Sequence, residues 1–203
     1  MSFNNNNFLK MKRKTAILIV CIYLSLTSYA QQISLSTNIG IAVAETENYK
    51  TNMLMQNTSL NYEFFSNSKK NLALNVGTAF KTFAGRIDNN IYSTRSALSV
   101  HAAIKSYIKV TEISKVFFQL GFYYNYMFKE ILEGQNPQNK ITKHNLGSNV
   151  GVFSAVGIHS NISKKFIMEA SIENGGDIIS NYRDGNRFTS ETYSFKIAFC
   201  YSL

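Results

Sequence analysis

Beyond residue 30 the chain is written in period two, with apolar and small polar residues taking alternate places. That period belongs to strands with two different faces. In the first segment Ile33, Leu35, Ile39, Ile41 and Val43 alternate with Ser34, Ser36, Asn38, Gly40 and Ala42. The second sets Leu54, Thr58, Leu60, Tyr62 and Phe64 against Met55, Asn57, Ser59, Asn61 and Glu63. The third sets Leu72, Leu74, Val76, Thr78 and Phe80 against Ala73, Asn75, Gly77, Ala79 and Lys81. The fifth is the clearest: Val116, Phe118, Leu120, Phe122, Tyr124, Tyr126 and Phe128 alternate with Gln119, Gly121, Tyr123, Asn125 and Lys129. Comparable alternation is centred on Val100, Val152, Ala170 and Ile197 in the fourth, sixth, seventh and eighth segments.

Most of these segments have the ~9–11 residues that a tilted strand needs to cross a bilayer. Their connectors alternate in character. Ser66–Asn71, Lys109–Lys115 and Asn161–Lys165 are short, polar and lysine-bearing; Glu45–Asn52, Ala84–Ile91, Glu130–Lys140 and Asn174–Arg187 form the other set. The pattern predicts an all-β protein, an eight-stranded antiparallel up-and-down transmembrane barrel over residues 31–203. Its termini and short turns are expected in the periplasm, and its other turns outside.

The face opposite the apolar one decides between a soluble and a membrane barrel. On a soluble protein it would be dense in Lys and Glu. Here it is Ser, Asn, Gly and Ala with an occasional charge, which suits a lumen that eight strands leave just wide enough for side chains. The apolar face carries rows of rings too bulky for that lumen. Tyr62, Phe64, Phe118, Phe166, Phe199 and Tyr201 fall near the short-turn ends, and Tyr92, Tyr126 and Phe128 near the opposite ends. Two aromatic girdles at the membrane interfaces are therefore expected. With no free edge tolerated in hydrocarbon, the eighth strand should pair with the first.

Composition agrees. Charged residues are 16% of the chain, proline occurs once, tryptophan never, and Tyr and Phe together number 27. Soluble domains carry about 25% charge. The N-terminus reads as a secretory signal over residues 1–30. Lys10, Lys12, Arg13 and Lys14 precede the apolar run from Ala16 to Leu24, and small residues follow up to Ser28-Tyr29-Ala30. Met11 is an alternative start. Cys21 belongs to the apolar run, which leaves Cys200 alone in the mature chain and no disulfide to form. Without the four basic residues of the signal, 17 Lys and Arg face 12 acids, a net charge of +5 with no basic stripe for nucleic acid.

From Gln31 to Leu203 the chain resembles the small outer-membrane β-barrels of the OmpA/OmpX type, in the form common in Bacteroidetes. The run Phe195-x-Ile197-x-Phe199-x-Tyr201-x-Leu203 looks like the C-terminal signal read by the barrel-assembly machinery, with Leu203 where the family usually has Phe. The resemblance implies a Gram-negative outer membrane, with its lipid and that machinery as partners.

Charges expected in the lumen are Glu63, Lys81, Arg95, Lys105, Lys129, Glu169, Glu173, Glu191 and Lys196, with His101 among them. In so narrow a space they must pair, and Lys196 is placed to reach Glu169 or Glu173 on the neighbouring strand. A plugged lumen is the structural reading; a narrow porin-like channel lined by these groups is the alternative. His159-Ser160-Asn161 invites a third, because outer-membrane lipid A deacylases are eight-stranded barrels with a His-x-Ser-Asn sequence whose Ser is the nucleophile and His its base. Here His159 and Ser160 are adjacent, so on a strand they point to opposite faces. His101, His144 and His159 lie too far apart in sequence to suggest a metal site. The outward loops offer Tyr49, Arg86, Asp88, Asn136, Asp177, Tyr182, Arg183 and Asp184 for recognition. The expectation is a monomeric barrel with a structural or surface-interaction role, no catalytic residues, and no cofactor or metal.

Overall fold

A computed structural model describes residues 31–45, 50–65, 71–88, 91–134, 140–182 and 191–203. The expected signal segment lies outside the described residues. Eight strands follow one another: β1 (Gln32–Glu45), β2 (Lys50–Phe65), β3 (Leu72–Asp88), β4 (Ile91–Lys109), β5 (Ser114–Gly134), β6 (Lys140–Asn161), β7 (Phe166–Tyr182) and β8 (Glu191–Ser202). Each pairs antiparallel with the next, and β8 pairs with β1 to close the barrel. The register shows how far the strands are staggered. The row Gln32, Glu63, Asn75, Ala103, Gly121, Phe153, Gly175 and Thr192 returns to β1 at Ala42. One circuit therefore climbs ten residues along β1, the shear that tilts strands in a barrel this narrow.

The polarity of a soluble protein is inverted. Leu120 (66% exposed), Phe122 (63%) and Phe199 (63%) stand on the outer wall, while Asn38, Asn61, Glu63, Lys105 and Asn149 are buried inside. An exterior of this kind is stable only against lipid, since in water each large side chain left exposed forgoes ~1.5–3 kcal/mol of burial. Phe166 and Tyr201 meet edge to face at 5.4 Å at the short-turn end. Phe80 and Phe128 pair at 6.1 Å toward the other. Tyr62 keeps the outward phase, between Ile33 and Val76 in the register, although little of it is exposed.

At the end opposite the short turns, the strands run well into segments expected to be loops. β3 continues to Asp88, β5 to Gly134 and β7 to Tyr182, while β6 begins at Lys140. The polar side chains there report where lipid ends, not where the sheet ends, because backbone pairing continues into water. We call this the hairpin end.

Candidate functional site: a layered lumen and a projecting hairpin

The inward residues of β4 read off the contents of the lumen in order from the short-turn end: Tyr107 and Lys105, then His101 and Ser99, then Ala97, then Arg95 and Ser93. Each marks a layer.

The lowest layer is ionic. Lys105 Nζ lies 2.7 Å from Glu63 Oε1 and 2.7 Å from Glu169 Oε2. The Tyr107 hydroxyl donates to Glu63 Oε2 at 2.6 Å, and Asn75 Nδ2 donates to Glu63 Oε1 at 3.1 Å. His159 Nδ1 sits 2.8 Å from Glu169 Oε1. The ammonium also lies 4.2 Å from the centre of the Phe117 ring. Six strands, β2 to β7, contribute to this one cluster. Such a network holds in low dielectric because each charge has several partners, and it turns costly when one is removed.

The middle layer is polar and looser. Lys81, His101, Glu173, Lys196, Tyr123, Asn57, Ser99 and Asn125 border a cavity of about 30 Å³, room for one or two waters. Lys81 Nζ stands 4.5 Å over the Tyr123 ring, and the Tyr123 hydroxyl donates to Asp177 at 2.6 Å. Gly151 makes room for that ring, because a Cβ there would collide with the phenol. Lys196 pairs in register with Ser171, between Glu169 and Glu173, but Glu169 is held across the lumen by Lys105. Among the described residues Lys196 forms no ion pair.

Above the cavity the lumen turns apolar. Met53, Met55, Phe83, Ala97, Met127, Ala42 and Ala44 pack into one buried cluster. Nothing in the alternation pointed to this layer, since Met53 and Met55 occupy positions in phase with Asn57 and Ser59. Arg95 caps it, 2.5 Å from Glu130, which also accepts from Ser93 Oγ at 2.9 Å.

Glu63, Lys81, Arg95, His101, Lys105, Glu169, Glu173 and Lys196 thus lie inside, divided among layers rather than joined in one network. Three residues move. Lys129 leaves the lumen, because a bulge in β5 pairs it with outward Ser96 and turns Glu130 inward instead. Asp177, expected in an outer loop, lies in the lumen against Tyr123 because β7 runs on to Tyr182 and keeps Asp177 in phase with Glu173 and Gly175, ahead of a second bulge at Ile178. Glu191 stands exposed on the outer wall, in phase with Tyr193, whose hydroxyl donates to it at 3.2 Å.

Of the other loop residues, Arg86 is exposed on β3 and its carbonyl accepts from Thr51 at 2.7 Å. Asp88 and Tyr182 end β3 and β7. Tyr49, Asn136, Arg183 and Asp184 lie outside the described residues. His159 is buried with Glu169, whereas Ser160 Oγ is 3.2 Å from Ser114 Oγ on the other face, so Ser160 does not stand beside the imidazole. Among the described residues no group of His, Cys, Asp and Glu could hold a metal ion.

The second feature is the β5–β6 hairpin. β6 pairs with β5 as far as Lys140 but with β7 only up to Gly147. Among the described residues, 140–146 therefore have a partner on one side only. Lys143 and His144 are exposed there, and Lys140 lies 2.8 Å from Glu133.

A closed eight-stranded barrel with a lipid-facing wall and a packed polar lumen defines a transmembrane barrel of the outer-membrane type. Solved structures carry the same fold. Neisserial surface protein A aligns with a TM-score of 0.55 at 8% identity, over 84% of this chain and 97% of that one. The outer membrane protein OprG from Pseudomonas aeruginosa aligns with a TM-score of 0.52 at 12% identity, over 86% and 96%. The outer membrane enzyme PagL is also similar, with a TM-score of 0.46 at 10% identity over 84% and 99%. No family model and no curated protein matches the sequence. At such identities the likeness establishes the fold, and function must come from the sites built on it.

Proposed function

We propose that this outer-membrane barrel is a non-conducting, non-enzymatic scaffold that presents its hairpin end to the cell exterior for surface interaction. The observation that carries the reading is the contrast between a lumen closed at two levels and a β5–β6 hairpin that, among the described residues, runs beyond its pairing with β7. An unpaired strand edge is a template for another extended segment. The exposed Lys143 and His144 favour an acidic one. The short turns then face the periplasm.

Cysteine labelling tests the orientation, since Cys200, the remaining cysteine of residues 31–203, is buried. Lys143→Cys on intact cells is expected to react with a membrane-impermeant maleimide, and Lys164→Cys only after the outer membrane is opened. The opposite pattern refutes the orientation. In planar bilayers the wild type is expected to give no conductance steps, and steady openings would restore the porin-like reading.

A further inference from the structure

We infer that the outer wall carries a binding notch for a membrane lipid with an amide or hydroxyl group near the head of its acyl chain. One register row shows it. Ile104, Leu120, Ser154, Asn174, Tyr193 and Ile41 are consecutive partners on β4, β5, β6, β7, β8 and β1. Two polar side chains interrupt a row that is otherwise aliphatic or aromatic. Both are exposed, and neither hydrogen-bonds to the protein among the described residues.

Their height is that of the hydrocarbon. On β7, Ile172 (64% exposed) lies on the short-turn side of Asn174, and Ile179 (62%) on the hairpin side. The wall is also recessed here. Val152, Ser154, Asn174, Gly176 and Glu191 are among the residues lining an open concavity of about 240 Å³, where Gly176, on the outward face of β7, leaves out a side chain that would fill it.

The chemistry of the occupant follows from the place. A hydroxyl and a carboxamide facing hydrocarbon without partners are costly. Water does not reach them, so the partner must arrive on a lipid. Asn174 offers a donor and an acceptor, and Ser154 offers both on one oxygen. Glu191 at the rim is an acceptor only and disfavours a phosphate. An amide N–H with its carbonyl, or a hydroxyl on the chain, satisfies the set, and a simple ester lipid without donors does not.

The barrel, refolded into phosphatidylcholine vesicles containing ceramide, is extracted in mild detergent and weighed by native mass spectrometry. Ceramide, an amide- and hydroxyl-bearing probe, is expected to stay bound to the wild type in preference to phosphatidylcholine. Retention should fall about tenfold in the double variant Ser154→Val/Asn174→Leu, the effect of losing two modest hydrogen bonds. Both substitutions place apolar groups against lipid, and a heat-modifiability gel verifies folding. Asn174→Leu alone is expected to give an intermediate loss. Gln56→Leu, at another exposed polar position of the outer wall on β2, should retain ceramide fully. Equal retention of ceramide and phosphatidylcholine by the wild type overturns the notch, as does undiminished ceramide on the double variant.

Discussion

The two closures of the lumen differ in kind. Near the short turns, one ammonium is shared by two carboxylates and ringed by Tyr107, His159 and Asn75. Toward the hairpin end three methionines, a phenylalanine and three alanines fill the same cross-section. The ionic layer is bound by direction and distance, so losing one member leaves the others charged and unpaired. The methionine layer is bound by contact and shape, and thioether chains can re-pack around a change. A barrel in lipid can use either solution, because the lumen is insulated from water as much by the bilayer as by its own ends.

The largest effect expected is at Lys105. Lys105→Met leaves Glu63 and Glu169 facing each other without their cation, and about 3–5 kcal/mol of stability should disappear, read as a lower urea midpoint in lipid vesicles. Adding Glu63→Gln and Glu169→Gln should restore most of it. If Lys105→Met is neutral, the cluster is not a structural closure.

Met127→Ala should cost less, toward the lower end of the roughly 2–5 kcal/mol typical of such truncations, because the surrounding methionines collapse into the space. A cost above that of Lys105→Met would reverse the ranking of the two closures.

The smallest effect belongs outside the barrel. Lys109 hydrogen-bonds Glu112 at 2.7 Å in a short turn, and this contact holds the Glu112 carboxyl below the usual range. Any contribution is present at neutral pH and fades as acid protonates Glu112 through its lowered pKa. The pair is exposed, so Glu112→Gln should leave the unfolding midpoint unchanged at every pH.

How much could be read in advance depended on distance along the chain. The eight strands, their order and the face each turns to lipid were legible in residues such as Leu120, Phe122 and Phe199, because alternation is a property of one strand at a time. The phase failed where a strand carries an extra residue. Lys129 was misplaced by a bulge that leaves no mark in the hydrophobic pattern, Glu130 was missed for the same reason, and Asp177 was misplaced because β7 runs on past its expected end. Strand ends failed as well, since side chains at the hairpin end are polar whether or not their backbones are paired.

Partnership was the least legible. Lys196 was matched to Glu169 or Glu173 on the neighbouring strand, yet Glu169 is bound by Lys105 from across the lumen and Lys196 forms no ion pair among the described residues. In a barrel this narrow the opposite wall is as close as the adjacent strand, and the ten-residue stagger decides which residues share a level.

The sequence alone determined that the chain is a transmembrane barrel, because two-faced strands without a charged face have only lipid to turn toward. The tertiary structure alone decided the contents of each level of the lumen, the reach of the β5–β6 hairpin and the concavity beside Asn174. Those depend on closure, shear and bulges, which set residues far apart in the chain at one height, and no local pattern encodes height.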